Sequence, residues 1–152
     1  MTTLITPYDV IVYAYSDNEL QTPSSILRSD IAEAESRYIL PILGESLTAR
    51  LYAGDYATLL EEYVAPALAA WTRYAVEHVA HRRCMACHDD ATSSADNERQ
   101  HTTLRALRKK ARTLLRRLSN HLNAHGDDYA EYNPYNNPLN RCFIDGDIIQ
   151  IL

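Results

Sequence analysis

The sequence predicts an all-α protein, a bundle of four to five helices, some kinked by proline, with an irregular C-terminal tail or hairpin. Three observations predict it. Apolar residues recur at intervals of three and four over most of residues 1–128. Prolines and glycines stand where those runs should bend or stop, at Pro7, Pro41, Gly44, Gly54, Pro66 and Gly126. From 129 onward the pattern fails, as tyrosines mix with Pro134, Pro138 and several asparagines. The expected division is therefore a helical domain, 1–128, and a tail, 129–152. No internal repeat is evident.

Each element follows from local chemistry. Thr6-Pro7-Tyr8-Asp9 opens the first helix: Thr6 as cap, Pro7 at the first position, Asp9 at capping-box spacing. Ser16-Asp17-Asn18 ends it. Ser24 or Ser25 is expected to cap a second helix with the stripe Leu27, Ile31, Ala34, Tyr38 and Ile42. Pro41 should kink or end that helix near Ile39, and Leu43-Gly44 reads as a C-cap. A short third helix, 45–53, presents Leu47 and Leu51 before Gly54. Asp55 is expected to cap a fourth, bent at Pro66, running to about Arg83 with the stripe Leu60, Val64, Leu68, Trp71, Ala75 and Val79. Residues 89–96 read as an exposed loop. The longest helix starts near Asn97, buries Leu104, Leu107, Ala111, Leu114, Leu118 and Leu122, and stops at Gly126. Beyond it, Asp145-Gly146 is a hairpin-turn dipeptide between two apolar runs.

Composition narrows the classes. At 152 residues and 46% apolar content, one domain can bury a core without disulfide or metal. Three cysteines argue against a disulfide scaffold. The first residues lack a basic stretch followed by an apolar run, and no window is long and apolar enough to span a membrane, so assembly in a cytoplasm is expected. The net charge of −5 divides into +8 between Arg99 and Arg117 and −13 elsewhere. Within that basic stretch Arg105, Lys109, Arg112 and Arg116 follow 4-3-4 spacing and form one stripe. Such a stripe neutralises nucleic-acid phosphates, pairs with an acidic partner, or pairs with the chain's own carboxylates. Internal pairing or solvent is the simpler expectation.

The segment 84–88, Cys-Met-Ala-Cys-His, matches the spacing of covalent haem attachment. The missing export signal argues against haem. Zinc suits the residue types better, with His81, Cys84, Cys87, His88 and His101 as candidate ligands. One straight helix cannot wrap four of them around one ion, since residues nine apart lie about 13 Å apart along its axis. The plainer reading makes the cysteines small apolar residues near a helix end, with no cofactor. No nucleophile triad, phosphate loop or paired carboxylate appears, and no enzymatic activity is expected.

The central pattern supplies the functional expectation. Ala34-Glu35, Tyr38-Ile39, Pro41 and Leu43-Gly44 are followed by Leu59-Leu60, Tyr63-Val64, Pro66-Ala67-Leu68 and Trp71. With Leu118 to Leu122, Gly126 and Glu131-Tyr132, this resembles a family of small helical head–tail connector (adaptor, or head-completion) proteins of tailed phages and prophages. The resemblance covers roughly residues 26–132. It implies a structural virion component that forms a ring with itself and joins portal to tail-side proteins. A basic lining near the DNA channel would be compatible with it. The Cys84–His88 cluster and the density of arginine in the last helix depart from the family's pattern. A small helical nucleic-acid-binding protein using 99–117, or a zinc-binding one, is the alternative. The tail is expected to be an assembly arm outside the monomer core, with Tyr129, Tyr132, Tyr135, Ile148, Ile149 and Ile151 as contact residues.

Overall fold

The structure, a computed structural model, describes residues 2–16, 22–87, 94–145 and 148–151, of which 83–87, 94–97, 142–145 and 148–151 are described by backbone alone. It is all-α, closed by one small hairpin. In order come α1 (Pro7–Ala14), α2 (Arg28–Ala34), α3 (Leu40–Tyr52), the single turn α4 (Ala57–Leu59), α5 (Ala65–Cys87) and α6 (Ser94–Ala124). Strands β1 (Cys142–Asp145) and β2 (Ile148–Ile151) then pair antiparallel, Cys142 with Ile151 and Asp145 with Ile148. No described helix is long and apolar enough to cross a membrane.

Helix α1 starts as its sequence dictates. The Thr6 side chain accepts from the Asp9 N–H while the Asp9 carboxylate accepts from the Thr6 N–H at 2.7 Å. The start of α2 differs from expectation. Residues Pro23–Ser25 form a separate 3-10 turn, and α2 begins at Arg28 with the Asp30 carboxylate accepting from the Leu27 N–H at 3.0 Å. Leu27 lies outside the helix and is 60% exposed, so it is no part of the buried stripe.

Neither Pro41 nor Pro66 ends a helix. Each is preceded by one π-helical turn, Glu35–Ile39 and Leu60–Val64, in which Leu40 N–H reaches Glu35 O and Ala65 N–H reaches Leu60 O, five residues back. A proline lacks the donor for the usual bond and crowds the preceding turn; a wider turn relieves both. The two segments match at an offset of 25 residues: Tyr38 and Tyr63, Ile39 and Val64, Pro41 and Pro66, Leu43 and Leu68. The two π turns thus share one local tyrosine–aliphatic–proline–leucine spacing. The break comes instead at Gly44, with φ of 78°, where α3 is kinked into two helical pieces, and α3 ends just before Gly54, with φ of 90°; both glycines are in the positive-φ region that favours this residue. Asp55 does not cap the next helix. Tyr56 occupies that position with φ of 56°, and Asp55 pairs with Arg50 at 3.1 Å.

The core centres on the first two turns of α5. Ala65, Ala67, Leu68, Ala69, Ala70, Trp71 and Thr72 are all buried, because α1, α2 and α6 surround this stretch and its alanines let them approach closely. Ile31, Ile39, Leu43, Leu47, Leu59, Leu118 and Leu122 complete the core. Farther along, α5 emerges: Ala75 is half-buried and Val79 is 45% exposed, so the expected stripe stops near Trp71. Glu35 is buried too, its carboxylate accepting from the Leu4 N–H at 3.1 Å and from the Tyr52 hydroxyl. Burial first, and this carboxylate second, push the Tyr52 phenol well above its ordinary range.

The boundary expected at 128 is displaced. Tyr132 is 7% exposed and belongs to the core, with Tyr129 and Leu139 packed against it. Fully buried Asn137 donates to Ser119 Oγ and Tyr132 Oη, each at 2.8 Å, and accepts from the Leu139 N–H at 3.0 Å. Asn123 and Asn140 bond each other through both side-chain amides. The asparagines that deny this stretch a helix are the groups that fasten it to α6. Tyr129 and Tyr132 are therefore parts of the monomer body, not of a detachable arm; Tyr135, 87% exposed, remains a surface residue.

Candidate interaction groove

A groove of about 1140 Å³ runs between α2 and the exposed parts of α5 and α6. Arg108, Arg112 and Arg116 line one wall from α6, and Arg82 adds to it from α5. Arg37 faces them from the π turn, near Asp30 and Glu33 of α2. Arg37 sits 5.5 Å over the Tyr38 ring, and Tyr38 stacks on Trp71 at 3.8 Å with the planes only 10° apart. Trp71 is 4% exposed, yet its Nε1 donor has no hydrogen-bond partner among the described residues.

The basic stripe is only partly brought to this groove. Arg112 and Arg116 line it; Arg105 and Lys109 do not, and the cation that joins the first two is Arg108. All are exposed, and none pairs with a carboxylate among the described residues. The expected internal pairing of Arg105, Lys109, Arg112 and Arg116 is thus not formed within this described set. Arg108 was missed because a 4-3-4 stripe through Arg105 passes it by. Spacing from Leu115, which lines the groove itself, finds it.

Among the metal-ligand candidates, His81 and His101 come together, ring centroids 5.1 Å apart and edge to face. His81 Nδ1 is already within 2.6 Å of Gln100 Oε1. Cys84 and Cys87 fall on α5 where only the backbone is described, and His88 lies outside the described residues. No group of three metal-ligating side chains occurs among the described residues.

A second aromatic cluster closes the opposite end of α6. His121 stacks on Tyr63 at 3.9 Å and against His125 at 4.5 Å, and its Nε2 lies 3.0 Å from the Tyr129 hydroxyl. Desolvation first, then the neighbouring His125, lower the His121 pKa from its ordinary 6.5. Of the remaining predicted contact residues, Ile148, Ile149 and Ile151 lie in β2.

A family model matches residues 87–141, and its description is "Family of unknown function (DUF6712)". The matched stretch holds α6 and the asparagine-fastened segment, and it ends one residue before β1. No curated protein and no solved structure matches the chain.

Proposed function

We propose that the protein is a structural, non-enzymatic component of virion assembly: a head–tail connector of a tailed phage or prophage. It assembles with itself, as a ring, and with portal and tail-side proteins, in the host cytoplasm before residing in the virion. The observation that carries this reading is what the resembling residues do. Ala34, Ile39, Leu43, Leu59, Val64, Leu68 and Trp71 are the buried frame of the bundle, so the likeness lies in the scaffold rather than in scattered surface positions. The surfaces left over suit assembly: an arginine-lined groove, an exposed half of α6 and a terminal hairpin. Exposed Arg105 and Lys109 are available for non-specific phosphate contact where such an assembly surrounds DNA.

The test is a nonsense mutation in the encoding gene. Under this reading, filled heads and free tails accumulate without joining, and the protein supplied from a plasmid restores whole particles. Normal yields of joined particles from the mutant would refute it.

A further inference from the structure

The groove between α2, α5 and α6 is polarised across its width. Arg108, Arg112 and Arg116 form its α6 wall, all exposed and none paired with a carboxylate among the described residues. They recur every four residues, so their Cα atoms step by about 6 Å along the helix. The α2 wall carries Asp30 and Glu33 instead. Asp30 is engaged by the Leu27 N–H, whereas Glu33 is exposed and has no partner among the described residues. Half-buried Tyr38 and Tyr74 also line the groove. Tyr38 stacks on Trp71, and Tyr74 meets Trp71 edge-on with ring centroids 5.7 Å apart, so both rings are held in place. Arg37 lies over Tyr38 and adds a flat cationic surface.

An occupant must bring negative charge along one side and hydrogen-bond donors along the other. A helical acidic peptide answers the first wall alone: its backbone donors are spent within the helix, and its carboxylates repel Glu33. A nucleic-acid strand answers both. Its phosphates form one regularly charged edge that a row of guanidinium groups tracks. Its bases lie on the other side, where their exocyclic amino groups donate to carboxylates and their faces stack on aromatic and guanidinium planes. A duplex keeps its bases stacked and paired inside, out of reach of Tyr38 and Tyr74.

We propose that the groove binds single-stranded nucleic acid, with phosphates toward Arg108, Arg112 and Arg116 and bases toward α2. Arg105 and Lys109 lie outside the groove, so this site is separate from the non-specific phosphate contact described above. The proposal goes beyond the connector reading, which names no occupant for the groove, and it stands or falls independently of it.

The experiment is fluorescence anisotropy of the full chain with a labelled short oligodeoxycytidylate over a range of salt concentrations. Three phosphate contacts on a single strand give a slope of log K against log salt of about −2. Arg112→Gln with Arg116→Gln should reduce that slope to about −0.7 and weaken binding at low salt about tenfold. Lys110→Gln with Arg141→Gln removes as much charge from exposed positions outside the groove and should leave the slope near its wild-type value. Tyr74→Leu keeps the bulk without the ring and should weaken binding about fivefold or more at an unchanged slope. Circular dichroism checks that each variant keeps its helicity. No binding of the oligonucleotide at low salt would overturn the proposal. An equal loss from the Lys110 and Arg141 changes would overturn it too, by assigning binding to the field of the chain's cations at large. Duplex DNA bound as tightly through Arg112 and Arg116, with Tyr74→Leu neutral, would refute a groove that takes bases. Oligoglutamate that displaces the labelled strand more effectively than unlabelled oligodeoxycytidylate of equal length would refute it in favour of an acidic protein partner. None of these outcomes touches the particle assay above, which tests the connector reading.

Discussion

Along α6 one alternation of leucine and arginine meets two environments. From 111 to 122 the apolar face is covered: Ala111, Leu118 and Leu122 are fully buried, Leu115 is 8% exposed, and Ser119 is buried against Asn137. From 98 to 110 no residue is buried, and Leu104 and Leu107 are only half covered. The reason is what stands opposite. The second half meets the crowded start of α5, the π turn at Leu60–Val64 and the asparagine-fastened segment; among the described residues the first half meets the emerging part of α5. Periodicity says which face of a helix is apolar. It does not say whether the fold supplies a neighbour for that face.

The largest effect should come from testing that contrast directly. Leu118→Ala should cost about 2–5 kcal/mol, because it opens a cavity in a packed site, whereas Leu104→Ala should cost about 1 kcal/mol or less. Urea unfolding of both variants measures the difference, and equal losses would mean that the first half of α6 is as well supported as the second. Next is Asn137→Ala, which leaves Ser119 and Tyr132 short of a partner in a dry site and should cost about 1–3 kcal/mol. A loss below about 0.5 kcal/mol, the range of ordinary surface changes, would detach the segment after α6 from the body and restore the arm reading.

The smallest effect is a pH dependence at the covered end. The His121 pKa is lowered in the folded chain, so between that value and the unfolded 6.5 the unfolded state binds more protons. The stabilisation is fully present above pH 6.5 and is lost as pH falls below it. His121→Phe keeps a ring against Tyr63 but cannot titrate, and it should flatten the fall in melting temperature between about pH 7 and pH 5.5. An unchanged slope would assign the acid sensitivity to other groups.

Much of this was legible in the sequence, and the failures have physical causes. The caps at Thr6, Gly44 and Gly54 were readable because they depend on one to four residues of local chemistry. The central place of Trp71 was readable from composition and spacing. The stripes through Tyr38 and Leu60 were not, because the buried steps there are five residues, Ala34 to Ile39 and Leu59 to Val64, across the π turns. The packed state of 129–141 was hidden because its stability comes from side-chain amides meeting α6, a tertiary fact that no local propensity encodes. The groove joins α2, α5 and α6, so the sequence held only its α6 wall, and that one residue out of place.

The two π turns also act as phase shifters. One residue beyond the normal repeat rotates everything downstream by about 100°. In the helix that begins at Ala57, this offset lets Leu59 and Trp71 face inward on one rod, although no single wheel puts both on a common side. Removing one residue from 60–64 would restore an ideal helix and swing the emerging part of α5 about a quarter turn around its axis. The α5 residues that line the groove would then point away from Arg112 and Arg116. The angular setting of that surface is thus encoded by an inserted residue, not by any side chain within the surface itself.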